Sequence, residues 1–391
     1  MKLRITGAAA LLAFAASAHA QSSVTLYGAV DSGLLWQNTS AANFLPNAKA
    51  NPNLGHVFQF KDGGVYASIF GLRGTEDIGA GYKVNFKLQG TFNSGNGKSG
   101  LASSPGASSM FTQVTTVGVS GPFGRIDVGR QFAPMAYAMA ETDVRNAQYF
   151  GSVLTAWLTM NTAAGWPGTS TNGQIGALYD DNAIVYNSPS FHGLSAALQY
   201  APGGTPGAFQ GGTRESAVLK YSNFGLNADA VYYNGHDANP YLGASPTPLH
   251  PATGLNNNRF VYLGAKYTWR GLSVSGSWSN GRNPAAPNGN PAIGAISGDF
   301  DMLTGGIGYR FSPSFDITSG VYYVKDEKHN QNQSTLYVLG GNYNLSKRTS
   351  LYAQVGYVSN RGAMNQEITY GSPVAVGKNT AAGNVGIRHS F

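Results

Sequence analysis

The strongest constraint on this chain is a rhythm. About ten residues alternate between apolar and polar side chains, a turn follows, and the pattern begins again. Val24, Leu26, Gly28 and Val30 alternate with Thr25, Ala29 and Asp31, and Tyr82, Val84, Phe86 and Leu88 with Lys83, Asn85, Lys87 and Gln89. Leu194, Ala196, Leu198 and Tyr200 follow the same rule, as do Leu272, Val274, Gly276 and Trp278. A period of two sends successive side chains to opposite faces of a strand. Sixteen such runs are predicted, near 23–36, 63–73, 81–93, 111–121, 124–131, 182–189, 193–201, 214–223, 225–234, 258–270, 272–281, 299–311, 314–326, 333–345, 349–359 and 381–391.

The connections decide which all-β architecture this is. Tight links such as Arg270-Gly271 and Ser346 to Thr349 alternate with long ones over 37–62, 94–110, 132–181, 235–257, 282–298 and 360–380. Short turns on one side and long loops on the other mark a bacterial transmembrane barrel. Beyond Gln21 no run approaches the ~18 apolar residues of a helical span. A chain that crosses a bilayer on strands must close them into a barrel, because an open edge leaves backbone groups unpaired in hydrocarbon. Aromatics gather near the turns (Tyr82, Phe123, Phe224, Trp269, Phe311 and Phe315), as an interfacial girdle requires.

Composition supports a polar-lined barrel over a soluble enzyme. Charged residues make up only 11%, against about 25% in soluble domains. There are 53 Gly and 22 Tyr. The absence of Cys removes disulfides and thiolate metal sites. Residues 1–20 read as a secretory signal: Lys2 and Arg4, an apolar stretch over 8–16, then Ala18-His19-Ala20 as a cleavage site. Residues 21–391 then form the barrel domain. Losing Lys2 and Arg4 takes the formal charge from +7 to +5, too low and too scattered for a nucleic-acid partner.

Catalysis finds no foothold. The seven His residues, at 19, 56, 192, 236, 250, 329 and 389, lie apart from any recognisable Ser or acid motif, and neither H-E-x-x-H nor G-x-S-x-G occurs. Gly95 to Gly100 fits G-x-G-x-x-G, but no helix follows it. No cofactor or metal is expected. Nothing ahead of the first strand could plug a barrel.

Six segments in order then resemble one family. They are Ser23 to Asp31 as an opening strand, Gly71 to Gly79 as a first periplasmic turn, and Val117 to Gln131 as the strand pair entering a third loop. Asp181 to Pro189 follows as the strand leaving it, then Leu345 to Tyr352, then Gly386 to Phe391. Together they resemble the trimeric general-diffusion porins of β-proteobacteria over nearly the whole mature chain. The resemblance implies a 16-stranded antiparallel transmembrane β-barrel, all-β, whose long third loop (132–181) folds into the pore. It implies a homotrimer in the bacterial outer membrane, in contact with lipid and lipopolysaccharide, passing small hydrophilic solutes and ions by passive diffusion. It also implies that the carboxyl-terminal Phe391 signals to the barrel-assembly machinery. A substrate-selective channel for sugars or organic acids is the alternative; Phe44, Tyr137, Tyr149, Phe150, Trp157 and Trp166 could supply its aromatic lining. Many members carry Arg where Ile69 stands, and often where Tyr179 and Val185 stand, so this wall is less basic than theirs.

Parity assigns Arg73, Lys83, Lys87, Lys220, Lys266 and Arg388 to the interior face, with Asp31, Asp229 and Asp316. Six bases against three acids predict a mild preference for anions. Lys83 and Lys87 with Arg73 form the expected basic patch. Glu141, Asp143 and Arg145 on the long loop are expected to face it and set up a transverse field; the plainer alternative is a solvated loop surface. Arg130 shares the outward parity of Ile126 and Val128, which suggests a subunit interface shielded from lipid.

Overall fold

A computed structural model of the chain describes residues 23–391, apart from 50, 101–108, 167–172, 238–252 and 292–293. The signal-peptide reading over 1–20 lies outside the described residues. The strands are β1 (Ser23–Gln37), β2 (Val57–Asp62), β3 (Ser68–Gly79), β4 (Tyr82–Phe92), β5 (Val114–Gly121), β6 (Gly124–Phe132), β7 (Tyr179–Asn187), β8 (Leu194–Ala201) and β9 (Arg214–Asn223). They continue as β10 (Leu226–His236), β11 (Asn256–Trp269), β12 (Leu272–Arg282), β13 (Asp299–Ser312), β14 (Phe315–Asp326), β15 (Gln333–Asn344), β16 (Thr349–Arg361) and β17 (Thr380–Ser390). Two helices, α1 (Pro134–Glu141) and α2 (Val153–Ala163), lie in the connection from β6 to β7.

Each strand pairs antiparallel with its neighbour, and β17 returns to β1 from Ala29↔Ser390 to Gln37↔Ala382. Closure is finished by Phe391, which exchanges both backbone hydrogen bonds with Gly28. β2 and β3 both pair with β1, β2 at its loop end and β3 at its turn end, so they are two parts of one stave. The barrel therefore has sixteen staves, as predicted.

The second stave corrects the expected run over 63–73. It runs from 57 to 79 and is interrupted at 63–67, so Gly71 to Gly79 is strand, and the turn is Ala80-Gly81. The cause is Asp31. Its buried carboxylate accepts the N–H groups of Gly64, Val65 and Tyr66 at 3.0–3.1 Å, drawing that segment off the ladder and into the barrel. Local alternation does not reveal this, since the partners lie more than thirty residues apart.

Four hairpins use two-residue turns with both central residues at positive φ: Ala80-Gly81, His192-Gly193, Phe224-Gly225 and Arg270-Gly271. Such turns match the twist of antiparallel strands. The outward parity is mostly apolar and exposed, for example Val117, Val119, Leu219, Leu263, Leu303, Leu339 and Val355. Tyr82, Phe123, Phe224, Trp269 and Phe311 stand exposed at the turn side, with Phe315 stacked on Phe311, so the predicted girdle is present there.

The hydrophobic core lies inside the barrel. Tyr233, Phe260, Tyr262, Phe300, Met302, Tyr322, Val324, Leu336, Val338 and Val358 point inward from β10 to β16 and are buried by the connection carrying α1 and α2. Every residue of α2 is buried, as expected of a helix covered on all sides. Ser152 caps it, its hydroxyl accepting from Leu154 N–H while its own N–H donates to Thr155. α1 begins with Pro134, whose missing N–H costs nothing in a first turn.

Candidate functional site

The third loop is fastened to one side of the interior. α1 packs against β8 to β11, and α2 against β13 and β14. Between the helices, Val144 N–H donates to Ser275, Thr142 shares a hydrogen bond with the Tyr262 hydroxyl, and Tyr322 donates to Asp143 at 3.0 Å. At the far edge Tyr149 N–H donates to Val65 of the segment held by Asp31, while Gly151 N–H and Tyr149 O bond to Ile368 and Tyr370 in the last long loop.

This placement corrects two site residues. Arg145 is fully buried. Its guanidinium donates to the carbonyls of Phe150 and Gly151 and to the side chains of Thr318 and Gln354. Burial pulls it below its ordinary pKa, opposed by Tyr322 and Asp143. Asp143 is 3% exposed and accepts from Tyr322 and from the N–H groups of Ala147 and Val153. Neither lines the water-filled passage; both pin the loop. Phe150, Trp157 and Trp166 are likewise buried beneath it and line nothing. Glu141 is the acid that faces water, side by side with Lys220 at 2.9 Å. Lys266 completes this side, bonded to Asp143 O and Asn146.

Across the passage stands the bare wall of β3 to β6. Arg73 and Lys87 are directly opposed in the register. Both lie over the Tyr27 ring, at 5.2 and 5.9 Å from its centroid. Tyr27 is held by its hydroxyl, which donates to Gln89 at 2.8 Å. Arg125 projects inward from β6 and pairs bidentately with Asp127, at 2.6 and 2.8 Å. Gly118 opposite leaves the space in which that pair lies. Lys87 is within electrostatic reach of both Arg73 and Arg125. Lys83 lies two inward rows nearer the turns, opposite Asp77. Tyr137, the half-exposed ring on α1, is in reach of Arg125, Asp127 and Tyr27 on the wall and of Glu141 beside it.

The opening is thus bounded by Tyr137 and Glu141 on one side and by Arg73, Lys87 and Arg125 on the other. The loop side is balanced, Glu141 and Asp229 against Lys220 and Lys266. The wall carries three bases against Asp127. Arg125 and Asp127 were missed in the sequence, although the outward parity of Ile126 and Val128 already implies that both point inward. Arg310 was missed in the same way between Tyr309 and Phe311; it faces Asp316 in a turn-side vestibule with Lys266 and Arg388. Ile69 shares a row with Ala29 and Thr91, so the expected apolar gap in the basic wall is present.

Arg130 finds its partners within the chain. It pairs with Asp181 at 2.5 Å, donates to Thr112 O and stacks over Tyr179 at 5.3 Å. Among the described residues no cluster of His, Asp or Glu could hold a metal ion.

Known proteins place this architecture. The Outer membrane porin protein 32 of Delftia acidovorans is 29% identical over 98% of each chain. Among solved structures, an anion-selective porin from Comamonas acidovorans superposes with a TM-score of 0.71 at 23% identity, covering 95% of this chain and 100% of its own. The trimer form of OmpT, an outer membrane protein of Vibrio cholerae, superposes at 0.62 with 12% identity over 95% and 99%. The profile of the Gram-negative porins matches residues 7–363. The closed sixteen-stave barrel superposes on those porins over 95% of its length, and this chain belongs to the Gram-negative porin family.

Proposed function

We propose that this outer-membrane porin is a general-diffusion channel for small hydrophilic solutes with a mild preference for anions. The observation that carries the reading is the charge imbalance across the opening: Arg73, Lys87 and Arg125 against Asp127 on one wall, facing Glu141 of the loop and Asp229 balanced by Lys220 and Lys266 on the other. Fixed charges at a narrow, low-dielectric gap attract counter-ions and repel co-ions. Membership of the Gram-negative porin family, and relatives named as porins, support a channel rather than an enzyme. Its Delftia and Comamonas relatives are named as porins, the latter as anion-selective, in keeping with this reading.

The chain assembles as a homotrimer, as its family resemblance and the trimer form of the Vibrio protein support. Residues 1–20 are removed on export, and Phe391, seated against Gly28 at the seam, presents the assembly machinery with its terminal aromatic. The Arg130–Asp181 pair is complete without a partner subunit, so Arg130 serves the root of the third loop before any interface.

Reversal potential across a planar bilayer under a salt gradient tests the reading. An anion-selective sign is expected at low salt, shrinking toward zero as ionic strength rises and the Debye length falls from about 10 Å at 0.1 M to about 3 Å at 1 M. A cation-selective potential overturns the charge argument. Saturable block of the current by one sugar or organic acid points to the substrate-selective alternative.

A further inference from the structure

The opening carries one group that charge selectivity does not use. On α1 the residues Pro134, Met135, Ala138 and Met139 are buried, and the face left open is Ala136, Tyr137, Ala140 and Glu141. Tyr137 is the one ring on that face, and it is 47% exposed with small residues to either side. The ring is braced from behind. Phe132, at the loop end of β6, meets it at 5.4 Å between centroids, Phe132 packs on the buried Tyr179 at 4.3 Å, and Arg130 caps Tyr179 at 5.3 Å. Three rings in contact thus form a ledge that runs from the loop ends of β6 and β7 into the passage. A ring held in this way gives up little freedom when a solute settles on it.

The ledge ends against the wall of bases. Tyr137 lies within electrostatic reach of Arg125, Asp127 and Tyr27 across the opening and of Glu141 beside it. The two acids are already answered. Arg125 holds Asp127 bidentately, and Lys220 donates to both oxygens of Glu141 at 2.9 and 3.0 Å. Arg73 and Lys87 rest instead on the Tyr27 ring, and neither forms an ion pair among the described residues. The surplus positive charge of the opening therefore sits on those two, over a ring that itself faces Tyr137.

We propose that the opening favours aromatic carboxylates among the anions it passes, the solute's ring against Tyr137 and its carboxylate against Arg73 and Lys87. The inference rests on the reading of the pore as an anion-preferring channel and deepens it, from the sign of a solute's charge to its shape. A flat arene meets a tyrosine ring offset-stacked or edge to face and gains from the two quadrupoles, whereas a saturated ring of the same size offers area alone. A guanidinium and an ammonium both donate to a carboxylate, the first of them bidentately. The contact is one ring deep and open to water, so the solute is drawn in without being retained, as conduction requires.

The full chain in planar bilayers is tested with potassium benzoate and with potassium cyclohexanecarboxylate, monoanions of equal carbon number that differ in the ring. Reversal potentials of each salt against potassium chloride give its permeability relative to chloride. Benzoate is expected to permeate several-fold better than its saturated analogue. Tyr137→Leu should bring the two together and Tyr137→Phe should keep them apart, while the chloride-to-potassium ratio holds in both variants because no charge is removed. Heat-modifiable migration on gels shows that each variant is folded. Equal permeability of the two acids through the native channel overturns the proposal, as does a benzoate preference that survives Tyr137→Leu. A preference lost in Tyr137→Phe as well would assign it to the hydroxyl and overturn the stacking. Potassium chloride gradients run on the same membranes separate the two readings. A cation-selective potential there defeats the charge argument and this site with it, whereas an anion-selective potential without a ring preference defeats this site alone.

Discussion

The two sides of this barrel's interior are built from the same alternating strands and do opposite things. On β3 to β6 the inward parity is Arg73, Thr75, Lys87, Gln89, Thr116, Gly118, Arg125 and Asp127, polar or charged apart from the glycine, and neither helix of the third loop packs on it. On β10, β11 and β13 to β15 the inward parity in the loop-side halves is largely aromatic or aliphatic, and the third loop lies against it. The strand scaffold does not dictate which wall is wet. What the inward residues offer, charge or greasy surface, decides whether the loop settles there or leaves a passage.

The sharpest way to break this contrast is to strip the covered wall of its filling. Trp157→Ala removes the largest fully buried side chain of the loop and should cost about 3–5 kcal/mol, read as a lowered midpoint of thermal unfolding. The same variant should show larger and noisier single-channel currents as the loop loosens. Arg145→Met leaves Gln354 and the carbonyls of Phe150 and Gly151 buried without a donor, a loss of about 1–3 kcal/mol by the same measurement. Selectivity should hardly change in that variant, because Arg145 does not touch the passage.

The bare wall should behave in the opposite sense. Arg73→Ala with Lys87→Ala is expected to lower the anion-to-cation permeability ratio several-fold while stability stays within about 0.5 kcal/mol. A large loss of stability there, with unchanged selectivity, would contradict the division of labour. The smallest effect concerns the outer edge of the loop's seat. Glu367 in the last long loop is buried beside Lys61, and burial pushes its carboxyl well above the usual range against the pull of that lysine. A group raised in this way favours the fold when protonated. Its contribution is therefore complete in acid and fades as pH climbs from the ordinary carboxylate range toward the raised value. Tryptic cleavage at Arg361 or Lys378 should quicken from pH 6 to pH 9 in the native chain and lose that dependence in Glu367→Gln.

Much of this was legible in the sequence because one rule, period-two alternation, is local. It placed fifteen of the staves to within a few residues. It failed where residues far apart in sequence meet. The break at 63–67 depends on Asp31, and the burial of Asp143 and Arg145 depends on Tyr322, Thr318 and Gln354. One signal went unread. In Val231-Tyr232-Tyr233, Phe260 to Leu263, Val321 to Val324 and Leu336 to Leu339 both parities are apolar, which a wall facing water on one side cannot sustain. Those runs announce a covered interior, and so the seat of the loop.

Asp31 has a consequence for how the molecule is made. Its carboxylate joins the inward segment at 64–66 to Tyr352 and Arg388, side chains supplied by the last two staves to be synthesised. A nascent chain whose first and last staves have yet to meet has three of the five ligands for that carboxylate, and the segment that props the tip of the third loop lacks its anchors on the last two staves. Gauge and seam are settled in one event, so an incompletely zipped barrel cannot display a finished aperture to the cell.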